Sequence, residues 1–199
     1  NGANYAAEIG GQFAEVDVTN EESISAGLSI AGPSNVVVNC AGIATAEKTL
    51  GRDGPHTQDA FERTISINLN GAFNVARLAA AQMTEGGVII NTASVAAFDG
   101  QNGQSAYAAS KSGVVGLSLP MARDLARNGI RVMAIAPGIF RTPMLESLGQ
   151  EVMDGLAKDV VFPPRLGDPK EFAALARFIV ECDYLNGTTI RLDGALRMP

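Results

Sequence analysis

The sequence predicts an α/β fold: a Rossmann-like, doubly wound parallel sheet with helices on both faces. Four short runs rich in Val and Ile are typical of buried strands: Val36–Cys40, Val88–Asn91, Ile130–Ile135 and Thr188–Leu192. These runs are apolar throughout instead of alternating, which indicates burial on both faces of the sheet. Longer segments of helical character separate them, as a parallel sheet requires. Because there is no internal repeat or linker, we expect a single domain over residues 1–199.

Capping signals mark the start of the predicted helices. Residues 19–22 (TNEE) have the form of a capping box and open the first of them. Thr57 is expected to cap a helix over about residues 58–83. Residues 168–171 (DPKE) combine a cap, a proline in the first turn and an acid, and they begin the last helix. A fifth strand is expected around Phe13–Val18.

The composition argues against several classes of function. The chain has 15 Lys and Arg against 21 Asp and Glu, a formal charge of −6, which disfavours a nucleic-acid surface. Cys40 and Cys182 lie far apart and His56 is the only histidine, so we expect no disulfide framework and no metal site. No apolar run approaches the ~20 residues that cross a bilayer, so no membrane partner is expected. We expect a cytoplasmic protein, or one of the mitochondrial matrix if the source is a eukaryote.

Small and polar residues follow three of the predicted strands where each strand ends. Residues 39–42 (NCAG) follow the first strand, residues 91–94 (NTAS) follow the second, and Pro137 and Gly138 follow the third. In open α/β sheets, ligands bind beyond the carboxyl ends of the strands. If the sheet is parallel, the three segments meet in one crevice, where we expect the functional site.

Tyr107 and Lys111 are four residues apart on a helix predicted to begin near Ser105, so they share one face, one turn apart. An ammonium group beside a phenol lowers the phenol pKa from its usual value near 10, as a general base working near neutral pH requires. Ser94, at a strand end, could orient a substrate oxygen towards Tyr107. Taken singly, these are ordinary residues: a half-buried tyrosine, a solvated lysine and a helix cap. Together with the strand ends, they predict a catalytic set.

At these residues the sequence resembles the short-chain dehydrogenase/reductase family, from about Phe13 to the C-terminus. The resemblance implies an oxidoreductase that transfers hydride to or from a nicotinamide cofactor, with Ser94, Tyr107 and Lys111 as catalytic residues. Asn68 resembles the helix asparagine that completes the family's catalytic tetrad through a water. The residues implied to contact the cofactor are Asp17 and Val18 at the adenine, Asn39, Cys40, Ala41 and Gly42 at the first strand end, Tyr107 and Lys111, and Pro137, Gly138, Phe140 and Thr142 near the nicotinamide.

Three segments narrow the resemblance to the branch of type 2 3-hydroxyacyl-CoA dehydrogenases: residues 89–98 (IINTASVAAF), 162–169 (FPPRLGDP) and 190–195 (IRLDGA). Pro120 is a further marker of that branch, since it lies inside the predicted catalytic helix, where proline typically costs ~3 kcal/mol. The branch implies NAD(H) as the cofactor and a homotetramer. It also implies a 3-hydroxyacyl-CoA or 3-ketoacyl-CoA substrate, which Gln104 would approach together with Ser94 and Tyr107.

The sequence departs from the family at its start. The Gly-rich turn that binds pyrophosphate and the acid that selects NAD over NADP are not among these residues, so NADP stays open. We therefore expect the N-terminal β-α-β phosphate-binding unit to be absent from this sequence. Two alternatives remain: a non-catalytic scaffold that no longer binds the cofactor, or a reductase of 3-ketoacyl or other ketone substrates that uses NADPH. The intact catalytic set favours the enzyme.

Overall fold

A computed structural model describes residues 2–146 and 149–198 of the chain. The strands are β1 (Val36–Asn39), β2 (Leu50–Gly51), β3 (Gly54–Pro55), β4 (Val88–Thr92), β5 (Arg131–Pro137) and β6 (Thr189–Leu192). The α-helices are α1 (Gly2–Glu8), α2 (Glu21–Ala31), α3 (Gln58–Ile65), α4 (Gly71–Ala80), α5 (Ser105–Asp124), α6 (Pro143–Glu146), α7 (Gln150–Ala157) and α8 (Pro169–Glu181). In the part of the chain that is described, no helix is long and apolar enough to cross a membrane.

The central sheet has parallel strands in the order β1-β4-β5-β6, and β2 and β3 form a separate antiparallel hairpin. The predicted α/β fold with a parallel sheet is confirmed, and each of the four predicted strands forms to within a residue or two at its ends. The register places Asn39 beside Asn91, and Asn91 beside Ala134. The carboxyl ends of β1, β4 and β5 therefore meet at one edge of the sheet.

The strand expected around Phe13–Val18 is wrong, because these residues run between α1 and α2 without forming one. A strand needs a hydrogen-bonded neighbour, and among the described strands β1 pairs with β4 alone. Val36 and Val38 of β1 are each 41% exposed. In these residues, β1 is an open edge of the sheet.

Side chains alternate between the two faces of the sheet and meet helices on each face. Ile89 of β4 and Val132 of β5 pack against Ala76 of α4 and Met121 of α5. The adjoining residues of β4 and β5 point the other way and pack around Ile179 of α8. Burying one such aliphatic side chain contributes roughly 1.5–3 kcal/mol. The two layers therefore fix where the strands end, and with them the residues of the expected site.

The caps of α2 and α8 bear out one prediction and correct another. At α8, Asp168 is the cap as predicted, with a proline in the first turn, and it forms a capping box with Glu171. At α2, Asn20 and not Thr19 is the cap, and its side-chain oxygen accepts a hydrogen bond of 2.8 Å from the Ser23 N–H. Both residue types favour the cap position, so the sequence alone did not decide between these neighbours.

The helix predicted over residues 58–83 is divided in two. Thr57 precedes α3 but makes no side-chain cap bond, and its N–H and hydroxyl both donate to Glu47. After α3, a π turn runs from Ser66 to Asn70, and α4 follows it. Single π turns of this kind are frequent at functional sites, and this one carries Asn68.

The close packing of α5 on the π turn gives a first testable prediction. A Cβ atom at Gly113 would lie 2.7 and 2.8 Å from the two methyl carbons of Leu69. Gly113→Ala is therefore expected to lower the unfolding free energy by about 1–3 kcal/mol, measured by urea denaturation. Gly116→Ala, in the same helix with open space around it, is the matched control and should raise stability by up to about 1 kcal/mol. Equal effects at the two glycines would contradict the packing argument.

Candidate active site

The ends of β1 and β4 are joined by a buried pair of amides. Asn39 Nδ2 donates to Asn91 Oδ1 at 2.9 Å and to the Ala72 carbonyl of α4 at 3.1 Å. Asn39 therefore orders the strand end from inside the protein. Cys40, the next residue, is exposed at the sheet edge, where its sulfur accepts a hydrogen bond of 3.6 Å from the Thr92 hydroxyl.

Ser94 and Tyr107 meet where β4 ends and α5 begins. Ser94 is 8% exposed and precedes a 3₁₀ turn over Val95–Ala97, where its Oγ accepts a 3.1 Å hydrogen bond from the Ala96 N–H. Tyr107, in the first turn of α5, is half-buried and close enough to Ser94 for that side chain to affect its pKa. Burial raises the pKa of the Tyr107 phenol, and the neighbouring Ser94 side chain partly opposes that rise. The structure brings Ser94 and Tyr107 together at the end of β4, and their role towards a substrate stays a prediction.

Lys111 lies one helical turn beyond Tyr107 and is 5% exposed. Its Nζ donates to the Thr92 carbonyl at 2.8 Å and lies 5.8 Å from the centre of the Tyr107 ring. Burial lowers the pKa of Lys111 to about 8, against a smaller opposing effect of Cys40.

The expected effect of Lys111 on the Tyr107 pKa is wrong for this structure. We expected an ammonium that lowers the phenol pKa, but that pKa is raised, because desolvation disfavours the tyrosinate more than its neighbours favour it. Desolvation also disfavours the charged form of Lys111 itself. The shared helix face was predictable from spacing, whereas the depth of burial was not.

Asn68 is 1% exposed, and protein atoms hold its amide. Nδ2 donates to the Ile43 carbonyl at 2.9 Å and to Ser110 Oγ at 3.0 Å, and Oδ1 accepts from the Ile43 N–H at 2.8 Å. Ser110 in turn donates to the Tyr107 carbonyl at 2.7 Å. Sequence reasoning missed Ser110, although its place three residues after Tyr107 was a usable signal. The π turn is thereby tied to the helix of the catalytic set.

A glycine keeps space between Asn68 and Lys111. A Cβ atom at Gly42 would lie 3.1 Å from Asn68 Oδ1 and 3.5 Å from Lys111 Nζ. Gly42 and its neighbour Ala41 are exposed at the end of β1. The NCAG segment thus passes directly in front of the lysine, as its sequence position suggested.

Other predicted cofactor residues lie at the end of β5. The Gly138 N–H donates to the Leu192 carbonyl at 2.9 Å, directly after Pro137. Phe140 bridges to Gly167 and meets the Phe172 ring edge-on at 6.5 Å between centroids. Thr142 stands just before α6. This segment follows β5, which lies on the opposite side of β4 from β1.

Three predicted residues have local partners within the protein. Asp17 accepts hydrogen bonds from the N–H and hydroxyl of Thr19, which hold its carboxyl pKa below the usual range. Val18 packs over Gly71, the first residue of α4. Gln104 Oε1 accepts from the Gln101 N–H at 3.0 Å, which orders the loop before α5.

One cavity lies apart from the catalytic set. It has a volume of about 640 Å³ and is lined by residues of α6, α7, α8 and the segment that leads into α8. Two ion pairs lie in its lining, Arg141 with Glu146 and Arg165 with Glu171, each at 2.8 Å. Among residues 2–146 and 149–198, no group of His, Cys, Asp and Glu side chains could hold a metal ion.

Comparison with known proteins decides the family. Residues 1–196 match the family model described as "Enoyl-(Acyl carrier protein) reductase". The chain is 52% identical to the 3-hydroxyacyl-CoA dehydrogenase type-2 of Bos taurus over 214 aligned positions, which cover 100% of this chain and 82% of that protein. The chain belongs to the short-chain dehydrogenase/reductase family. It is therefore an oxidoreductase that acts on CH–OH groups.

Further relatives of this short-chain dehydrogenase/reductase agree with that assignment. The type-2 enzyme of Homo sapiens is 54% identical over 94% of the chain and 77% of its own length. The crystal structure of the type-2 enzyme from Mycobacterium avium superposes with a TM-score of 0.93 at 42% identity, covering 100% of this chain and 82% of that one. The structure of BdcA in complex with NADPH gives a TM-score of 0.87 at 27% identity, over 98% and 79% of the two chains.

The residues present fit the nicotinamide end of the family's NAD(P) cofactor. Gly42 leaves room in front of a buried ammonium, and exposed backbone lines the end of β1 beside it. These features suit a group that carries hydroxyl and amide oxygens, such as a ribose with its carboxamide-bearing ring. The pyrophosphate end has no counterpart among these residues, because its Gly-rich turn is not in this sequence.

Proposed function

We propose that this short-chain dehydrogenase/reductase interconverts 3-hydroxyacyl-CoA and 3-ketoacyl-CoA with NAD(H). The observation that carries the proposal is the half-buried Tyr107 beside Ser94, with buried Lys111 one turn away. Identities of 52% and 54% to proteins named 3-hydroxyacyl-CoA dehydrogenase type-2 favour an acyl-CoA substrate over other secondary alcohols. The predicted segments of the type 2 branch agree with that choice.

In the proposed mechanism, Tyr107 is the general acid and base. In its ionised form, its phenolate oxygen takes the hydroxyl proton during oxidation, and in its neutral form it returns that proton to the carbonyl oxygen during reduction. Ser94 donates a hydrogen bond to the same substrate oxygen and fixes it beside Tyr107. The bound nicotinamide supplies the hydride acceptor or donor. Gln104, in the loop before α5, borders the substrate.

Lys111 and Asn68 have supporting roles beside Tyr107. With its pKa lowered to about 8, Lys111 exchanges a proton near neutral pH and serves as a proton reservoir beside the phenol. Asn68 holds the π turn against α5 through Ser110. This contact keeps Lys111 and the Tyr107 phenol at a fixed separation. We retain Asn68 as the fourth member of the catalytic set. Its role is to keep the π turn and α5 in place at this edge of the sheet.

The cofactor would lie along the strand ends. The residues that would hold it are Asp17 and Val18, Asn39 through Gly42, Tyr107 and Lys111, and Pro137, Gly138, Phe140 and Thr142. The resemblance to the type 2 branch favours NAD(H), and the NADPH complex of BdcA is the observation that favours NADPH instead. We further propose a homotetramer, which light scattering would test.

The deciding experiment measures oxidation of a short-chain 3-hydroxyacyl-CoA by the full-length protein, with NAD⁺ and NADP⁺ in parallel. We expect turnover with kcat/KM higher for NAD⁺. A higher value for NADP⁺ would reverse the cofactor assignment and leave the substrate class in place. Turnover of simple secondary alcohols but not of the acyl-CoA would overturn the substrate class. If neither NADH binds in a fluorescence titration nor any substrate turns over, the protein is a scaffold.

A further inference from the structure

Arg191 of β6 belongs to a network that the proposed chemistry does not use. It pairs in register with Ala136 of β5, which is fully buried in the cluster between the sheet and α5. The Arg191 side chain is 23% exposed. A guanidinium group held this far from water needs partners for its charge and its N–H groups.

Two carboxylates and a carbonyl supply those partners. Arg191 Nη2 donates to Asp99 Oδ2 at 2.6 Å and to the Leu196 carbonyl at 3.0 Å, and Nε donates to Asp193 Oδ2 at 2.7 Å. The guanidinium also lies over the Phe98 ring, 5.1 Å from its centre. The Asp99 and Asp193 side chains are 19% and 9% exposed. We call these five residues the Arg191 network.

The network joins two segments that would form walls of the proposed active site. Asp99 lies midway between Ser94 and Gln104, on the segment that leads into α5. On the other side, Asp193 packs against Gly138, since a Cβ atom at Gly138 would lie 2.9 Å from Asp193 Cα. One guanidinium group therefore connects the wall that carries Ser94 to the turn at the end of β5.

We propose that Arg191 is a positioning residue, which fixes the separation between the Ser94–Gln104 segment and the Pro137–Gly138 turn. Its role rests on the proposed function, because those two walls are where substrate and nicotinamide would meet. The planar fork of arginine reaches all three acceptors at once, and the single ammonium of lysine does not. A displacement of about 1 Å in such a wall can cost on the order of a hundredfold in rate.

Steady-state kinetics with a 3-ketoacyl-CoA and NADH test the proposal in Arg191→Gln, Arg191→Lys and Asp99→Asn. We expect kcat/KM to fall roughly tenfold or more in both Arg191 variants, mainly through a higher KM for the acyl-CoA. A loss of folded protein alone would lower kcat and leave KM unchanged. Arg177→Gln is the matched control, because Arg177 pairs with Glu181 at 2.7 Å on the exposed face of α8. Its KM should stay at the wild-type value.

Hydrogen exchange measured by mass spectrometry supplies a readout that needs no substrate. In Arg191→Gln, amides of residues 95–104 should exchange faster than in the wild type, while α8 is unchanged. Wild-type KM together with wild-type exchange in that segment would overturn the role of Arg191. If the wild type turns over no acyl-CoA, the proposed function fails and the exchange data still decide the positioning role. Should Arg191→Gln not fold, Asp99→Asn, which keeps the side-chain shape, carries both measurements.

Discussion

Replacing Tyr107 with phenylalanine is expected to lower kcat for 3-hydroxyacyl-CoA oxidation on the order of a thousandfold. The change removes only the phenol oxygen, so no group of the right geometry can take the substrate proton. NADH affinity, measured by fluorescence titration, should be nearly unchanged, because the ring and the position of Lys111 stay in place. The melting temperature should also change little, since Ser94 keeps its hydrogen bond from the Ala96 N–H.

Tyr184→Phe is the matched control for this substitution. Tyr184 is fully exposed beyond α8, at 101% of the reference accessibility, and takes no part in the site. Its variant should show wild-type kcat and KM. Turnover in Tyr107→Phe close to that of Tyr184→Phe would remove Tyr107 from the mechanism.

Replacing Lys111 with methionine is expected to abolish turnover and to change how stability depends on pH. The pKa of Lys111 falls from 10.5 to about 8 on folding because the ammonium is desolvated. Between those two pH values the unfolded chain binds the additional proton, so the unfolding free energy rises with pH through that window. The stabilisation is complete above pH 10.5 and is lost as the pH falls through about 8.

The size of this effect is measurable by urea denaturation at pH 7 and pH 10. A shift of this kind corresponds to at most about 3 kcal/mol for a buried group. Lys111→Met should lack that part of the rise, while Lys158→Met, at an exposed lysine beyond α7, should keep it. Identical pH dependence in wild type and Lys111→Met would show that Lys111 titrates as an ordinary lysine.

Local sequence patterns predicted those features of the candidate site that depend only on the spacing of residues along the chain. Tyr107 and Lys111 share a helix face because of their separation, and Ser94 lies at a strand end because an apolar run stops just before it. Burial depends on how the layers pack, so it was not predictable from spacing. For that reason the predicted lowering of the Tyr107 pKa was wrong, and Ser110 was overlooked.

The same distinction holds for the fold. The buried strands were predictable from short runs of Val and Ile, and the Asp168 cap was predictable from the DPKE sequence. The strand expected around Phe13–Val18 is not formed. A strand requires a hydrogen-bonded neighbouring strand, and the residues of this segment do not show whether one is present. The π turn that divides α3 from α4 depends on contacts such as those of Asn68 with Ile43 and Ser110.

The π turn makes α3 a spacer of fixed length. Each residue added to or removed from a helix rotates everything beyond it by about 100°. A one-residue deletion within α3 would turn Asn68 away from Ser110, even if every other residue were retained. The hairpin of β2 and β3 has no such constraint on its length, because Leu50 is 75% exposed and Gly54 has open space around it. Among relatives, changes of length are therefore expected in the hairpin, and α3 should vary by substitution only.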